Sequence, residues 1–317
     1  MNITDLQNLA QRTRSMREAG VALLFASIIL AFFLFVPTTF KQESSDVAPI
    51  TVATSTIPNA FAQIPLEASA AIVYDLVTGE TLYAKNADAQ LPLASLTKLL
   101  TVYAALHTLS LNTPITISAD AANSPSPHAL STGQTFTLYD LARITITASL
   151  NDGATAIAIA TATSENRSQH EMLAGAAAAL NLTQTYAVNG SGLDVNSAIS
   201  GGYGSARDLA RLAGALVDEA SSIADATTES SAQATSVEGK TVSVKNTDPM
   251  INTIPGLLLS KTGYTDLAGG NLALVFDVGI KHPVAVVILG SSQKARFTDG
   301  TALVAATLAH FAGVASL

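Results

Sequence analysis

No cysteine occurs anywhere in the 317 residues. That absence excludes disulfides and thiolate metal sites, and it leaves the redox compartment open. Charge is sparse as well: Asp, Glu, Lys and Arg make up 13% of the chain, with a net charge of −8. There is no basic face to neutralise a phosphate backbone, so no nucleic-acid partner is expected, and acidic polymers are not expected as ligands either. Histidine is rare. His107, His128, His170, His282 and His310 are scattered with no ligand-like spacing, so a metal centre would have to rest on carboxylates alone. The chain is read as metal-free and without a cofactor.

Apolar residues, by contrast, are plentiful: 48% of the chain is hydrophobic, enough to fill a substantial core at this length. The run AGVALLFASIILAFFLFV from Ala19 to Val36 is free of charge, and about 18 such residues can cross a bilayer core as a helix. Arg12, Arg14 and Arg17 precede it, whereas Lys41 is followed by Glu43 and Asp46. The positive-inside bias therefore puts the N-terminus in the cytoplasm and exports the remainder of the chain. The expected division is a cytoplasmic N-terminus over 1–18, a single-pass cell-membrane anchor over 19–40, a flexible Ser/Thr/Pro-rich linker over 41–67, and an extracytoplasmic domain over 68–317. Cleavage of the apolar run as a signal peptide is the competing reading, because AFAQ at Ala60–Gln63 resembles a small-x-small cleavage site. That site lies about 24 residues past the run, too far for ordinary processing.

Beyond the linker, SAAIVYDLVTGETLYAKN (Ser69 to Asn86) gives two short β-prone runs around Thr78-Gly79, which predicts a hairpin. From about Thr97 to Asp225 the apolar residues recur at three- and four-residue spacing, as in LYDLARITITASL and SARDLARLAGALVDEA, and predict helices. Then LLLSKTG, NLALVFDVGI and HPVAVVILG read as β-branched strands of an antiparallel sheet, and Phe297 to Ala312 as a closing helix. The stretch SSIADATTESSAQATSVEGK (Ser221 to Lys240) reads as a mobile connection. A hairpin, a helical insertion, three more strands and a terminal helix predict one α+β unit whose sheet is assembled from both ends of the chain.

Three short patterns could carry chemistry. Ser95 and Lys98 stand three apart at the opening of an apolar helix, LPLASLTKLLTVYAAL. Residues so spaced share a helix face, so the amine can reach the hydroxyl. Burial beside the positive end of a helix dipole would lower the lysine's pKa and let it accept the serine proton, and the same end would favour an oxyanion at the Ser95 N–H. Taken alone, the pair reads as an N-cap and a solvated lysine. Ser149-Leu150-Asn151 lies where one helical run ends and another begins, a place for a proton relay and an amide-holding group, or simply for a cap by Asn151 or Asp152. Lys261-Thr262-Gly263 closes a predicted strand and offers a cation for a substrate carboxylate, a hydroxyl, and bare backbone for a peptide to lie against; it is also an ordinary strand end. Decoys exist in Ser110-Leu111-Asn112, Ser164-Glu165-Asn166 and Ser291-Ser292-Gln293-Lys294.

The order Ser-x-x-Lys, Ser-x-Asn, Lys-Thr-Gly resembles that of the penicillin-recognising serine enzymes, and more narrowly the D-alanyl-D-alanine carboxypeptidases among the low-molecular-mass penicillin-binding proteins. The similarity runs from about Ala70 to Asp299, through LPLASLTKLLT, GQTFTLYDLARITITASLNDGATAIA, NGSGLDVNSAISGGYGSARDLARLAGAL and GLLLSKTGYTDLAGGNLAL to LGSSQKARFTD. It implies a β-lactamase/transpeptidase-like fold with an antiparallel sheet packed against helices. It implies Ser95 as acylated nucleophile, Lys98 as its base, and Ser149 with Asn151 as the central pair. Lys261, Thr262 and Gly263 become the substrate-binding strand, with the N–H of Tyr264 as second oxyanion donor. Arg296 falls where the family often has an arginine, with a surface role as the other reading. The implied partners are peptidoglycan stem peptides as substrate and β-lactams as covalent inhibitors.

The sequence departs from the family pattern in two places: Leu150 stands for the usual glycine, which would narrow the cleft, and Leu259-Ser260 precede Lys261 where Gly-x is usual. Many members also carry a second β-rich domain with an amphipathic membrane-binding helix, a role the N-terminal span would take here. The expected reaction is removal of the terminal D-alanine of stem peptides. An endopeptidase of the same fold cutting D-alanyl crosslinks, and a catalytically silent cell-wall-binding module, are the alternatives. A class A β-lactamase is disfavoured, because neither Glu165 nor Glu171 sits in a Glu-x-x-x-Asn element.

Overall fold

The computed structural model describes residues 59–313, together with the helical positions Val21, Leu23, Leu24 and Ser27. The chain divides into two units at Ser55/Thr56, and residues 59–313 belong to the second. Among the described residues no helix is long and apolar enough to cross a membrane. The expected anchor over 19–40, apart from those four positions, and the first part of the linker lie outside the described residues.

The linker ends earlier than expected. Ala60 and Phe61 are buried against the outer face of the sheet, joined by Ile64 and Leu66, and the Phe61 ring lies 5.9 Å from that of Tyr83. Burial of an aromatic ring holds this stretch to the domain, which a Ser/Thr/Pro count does not register. Strand β1 (Ala70–Asp75) and β2 (Thr81–Lys85) come next as the predicted hairpin.

The helical insertion comprises α1 (Thr97–Thr108), α2 (Leu138–Ala148), α3 (Asn151–Glu165), α4 (Gln169–Ala179) and α5 (Ala206–Glu219). Side-chain caps start several of these helices: Thr137, Ser168 and Ser205 each accept from a backbone N–H in the first turn, Ser168 within a full capping box with Glu171.

The stretch read as a mobile connection is ordered. It forms a short helix (Ser221–Ala224), a helical turn and the hairpin β3 (Ser231–Thr235) and β4 (Thr241–Lys245). Ala232, Ala234, Val242 and Val244 of the hairpin face the main core in strict alternation. The period of two was in the sequence, carried by residues as small as alanine and masked by serine and threonine.

Strands β5 (Leu257–Thr265), β6 (Gly269–Asp277) and β7 (Pro283–Ser291) return to the sheet, and helix α6 (Ala295–Phe311) closes the chain. The main sheet runs in the order β5-β6-β7-β1-β2, with all neighbours antiparallel. Both faces of its middle strands are covered. Ala285, Val287 and Leu289 of β7 join the core shared with the helical insertion, while Val284, Val286 and Ile288 meet Leu303, Val304 and Ala306 of α6. Such double burial explains why these strands read as continuous apolar runs. β5 is left at one edge of the sheet.

Candidate active site

Ser95 lies in a single 3₁₀ turn, Ala94–Leu96, immediately ahead of α1, rather than inside the α-helix itself. Ala94 has φ +48°, a left-handed backbone unusual for a residue with a Cβ, and such conformations are held at a cost of about 1–3 kcal/mol by their surroundings. The turn leaves the Ser95 side chain half-buried while Lys98, one turn on, is completely buried.

Three oxygens surround the Lys98 amine: Ser95 Oγ at 2.7 Å, Asn151 Oδ1 at 2.8 Å and the Ser191 carbonyl at 2.8 Å. The orientation of Asn151 is fixed by its other end, since Nδ2 donates to the carbonyls of Pro125 and Ser126 at 2.9 and 3.0 Å. The Asn151 oxygen and the Ser191 carbonyl can only accept. A neutral amine has two N–H groups for those two acceptors and one lone pair for the proton of Ser95. Burial, with the positive charge of Lys261 adding to it, pushes the Lys98 pKa well below its ordinary value, and the carboxylate of Asp152 opposes the shift. The sequence expectation of an uncharged base beside the nucleophile thus has its geometry.

Ser149 closes α2 in the left-handed conformation, φ +59° and ψ +35°, and Leu150 then turns the chain into α3, which begins at Asn151. The reversal puts the serine and the asparagine toward different amines. Ser149 Oγ accepts from Lys261 Nζ at 2.9 Å, and Lys261 also donates to the Thr262 carbonyl at 2.6 Å. Burial and then the nearby Arg296 lower the pKa of Lys261 to about 7. Leu150, expected to narrow the cleft, has its side chain buried in the main core. Neighbouring Asp152 accepts from the N–H groups of Ala129, Leu130 and Gly153, each at 2.7 Å, and so ties the 129–130 loop to α3.

On β5, Gly263 passes close to the nucleophile: a Cβ placed there would stand 3.0 Å from the Leu93 carbonyl and 3.2 Å from the Ser95 nitrogen. A side chain there would press strand and turn apart by a few tenths of an ångström, which glycine avoids. Thr262 is buried with its Oγ1 at 2.7 Å from Thr247 Oγ1, and Tyr264, one residue past the glycine, is 45% exposed. The structure therefore joins Ser95 to Lys98 and Asn151, joins Ser149 to Lys261, and lays Gly263 against the backbone of Ser95. Arg296 has no surface role. It is buried and donates from Nη1 to the Gly263 carbonyl at 2.6 Å.

Two of the decoy serines are occupied elsewhere. Ser291 Oγ donates to Asp299 at 2.8 Å, and Ser110 Oγ caps a turn by accepting from the Asn112 N–H. Glu165 accepts from Thr108, and Glu171 serves the Ser168 capping box. Sequence reasoning gave no role to Ser191, whose contribution is a backbone carbonyl. The available signal was the glycine-rich NGSGLD: a Cβ on Gly192, at φ +74°, would collide with the Ala94 carbonyl. Asn189 Oδ1 holds this loop by accepting from Ser191 Oγ and the Gly192 N–H.

The profile of a known family, described as D-alanyl-D-alanine carboxypeptidase, matches residues 56–293. A D-alanyl-D-alanine endopeptidase of Pseudomonas aeruginosa is 29% identical over 80% of this chain and 83% of its own length. D-alanyl-D-alanine carboxypeptidase DacC of Escherichia coli is 30% identical over 59% of this chain, which spans only 45% of that relative. Among solved structures, penicillin-binding protein D2 of Listeria monocytogenes in its cefotaxime-bound form is 26% identical, with a TM-score of 0.65 over 77% of this chain and 98% of that one. The α+β arrangement of an antiparallel sheet and helices is thus the penicillin-binding, transpeptidase-like fold. With its three motifs assembled on that fold and the family profile covering most of its length, the chain belongs to the D-alanyl-D-alanine carboxypeptidase family of serine peptidases.

Proposed function

We propose that the chain removes the terminal D-alanine from peptidoglycan stem peptides through an acyl-enzyme on Ser95. Lys98 accepts the Ser95 proton as Oγ attacks the carbonyl of the penultimate D-alanine. The Oγ–C bond forms and the C–N bond to the last D-alanine breaks, and the departing nitrogen takes up the proton that Lys98 accepted, relayed by Ser149, which Lys261 holds in place. Water then attacks the ester with Lys98 taking one of its protons, the acyl C–O bond breaks to free the shortened peptide, and that proton passes from Lys98 to Ser95. The Ser95 N–H, with that of Tyr264, holds the oxyanion, while Thr262 and Lys261 serve the substrate's carboxylate. Beta-lactams acylate the same serine.

The observation that carries this reading is the coordination of the Lys98 amine by two obligate acceptors and one hydroxyl. A silent wall-binding module has no use for a buried neutral base beside a half-exposed serine. On the same reading residues 19–40 anchor the protein in the cell membrane, with 1–18 in the cytoplasm and the folded domain outside.

Treatment with a labelled penicillin, followed by peptide mass mapping, tests the chemistry: a stable adduct on Ser95 is expected, and its absence overturns the enzymatic reading. The name of the Pseudomonas aeruginosa relative favours the second reading, cleavage of D-alanyl crosslinks. Incubation with a pentapeptide and with a crosslinked dimer separates the two, since a carboxypeptidase releases free D-alanine from the first.

A further inference from the structure

Residues Asn246 to Met250, which follow β4 directly, lie outside all three motifs and yet touch Thr262 of the last one and the end of α2 just before the second. Thr247 Oγ1 is 2.7 Å from Thr262 Oγ1, and the Thr247 N–H donates to the carbonyl of Thr147, two residues before Ser149. The residues on either side are clamped. Asn246 Nδ2 donates to the carbonyls of Thr227 and Glu229 at 2.7 and 2.9 Å, and its Oδ1 accepts from the Asp248 N–H at 2.9 Å. Asp248, buried, accepts from Ser260 Oγ at 2.6 Å and from the Met250 N–H at 2.7 Å. Thr247 itself is half-buried beside the substrate strand.

We propose that Thr247 is a positioning residue that aims the Thr262 hydroxyl at the terminal carboxylate of the substrate. A hydroxyl carries one proton and two acceptor sites. When Thr247 donates to Thr262 Oγ1, the proton of Thr262 is left free to point away from Thr247. A carboxylate can only accept, so its arrival selects that arrangement, and the incoming charge and the Thr247 bond strengthen one another. The backbone clamps hold Thr247 in place before substrate binds, which removes the cost of ordering the relay at that moment. Ser260 matters here as well: it occupies the variable position ahead of Lys261, and its bond to Asp248 ties the clamped segment to the same strand.

This inference rests on acylation of Ser95. The test compares wild type, Thr247→Val and Thr247→Ser in their acylation by a penicillin with its free carboxylate and by the methyl ester of the same penicillin. Thr247→Val is expected to slow acylation by the free acid roughly tenfold, the order of one hydrogen bond to a charged group, and to leave the ester within about twofold, on the same scale. Thr247→Ser restores the free-acid rate. With a pentapeptide the loss is expected in KM more than in kcat. Equal rates for wild type and Thr247→Val on the free acid, or equal slowing on acid and ester, overturn the inference while leaving the acyl-enzyme standing. No adduct in the wild type with either compound overturns the acyl-enzyme and this inference with it.

Discussion

The charge of Lys261 lowers the pKa of Lys98, although the two amines come from the last and the first of the three motifs. Burial and then Arg296 lower Lys261 in turn, so beyond the effect of burial Arg296 favours deprotonation of Lys261, and Lys261 that of Lys98. Asp152 is the opposing charge at Lys98. The base is therefore tuned by residues on α3, β5 and α6, well beyond its own helix.

Replacing Lys98 by methionine keeps an unbranched chain in the buried slot and removes the proton acceptor. The rate constant for acylation of Lys98→Met by labelled penicillin is expected to fall by about 10²–10⁴, the usual contribution of a positioned general base. Retention of the wild-type rate would remove Lys98 from the mechanism.

The pH profile carries the sign of the two shifts. Lys98 must be neutral, so acylation is lost as pH falls through its depressed pKa. A cationic Lys261 is lost as pH rises through about 7, which gives the alkaline limb of kcat/KM for pentapeptide. Arg296→Gln removes a neighbouring positive charge and is expected to move that limb to higher pH. An unchanged limb would show that Arg296 does not act on Lys261.

Lys261 also links stability to pH. Its folded pKa of about 7 lies below the ordinary 10.5, so between these values the unfolded chain binds more protons, and stability rises with pH across that window. Below about 7, on the same values, the group contributes no slope. Urea unfolding of wild type and Lys261→Met at pH 6, 8 and 9.5 reads this: the variant is expected to show a flatter increase, and parallel curves would argue against the shift.

Leu150→Gly would restore the residue usual in the family. Because Leu150 is only 3% exposed and packs in the main core, the change is expected to destabilise by about 2–5 kcal/mol, as large-to-small substitutions do, with no gain in acylation. Faster acylation in the glycine variant would mean that the leucine does crowd the substrate.

Much of this was legible in the sequence because the motifs pair unlike residue types at fixed spacing, and because β1 and β7 are rich in β-branched residues and β5 and β6 in short apolar runs, with turn signals between them. What stayed hidden had physical causes. The Ser191 carbonyl has no side-chain signature. Thr247 is one threonine among many until folding brings it to Thr262. Burial of Arg296 depends on the carbonyl of Gly263, a partner distant in the chain. The β3–β4 hairpin buries alanines and valines too small to outweigh the polar residues between them.

The pairing of β1 with β7, Ala70 opposite Leu289, has a consequence for synthesis. A growing chain presents Ser95 and Lys98 long before it has made the strand that carries Lys261 or the one that completes the sheet. The parts that close β1 into the sheet and set a second amine beside Lys98 are thus among the last of the domain to be made, and the order of synthesis follows from topology alone.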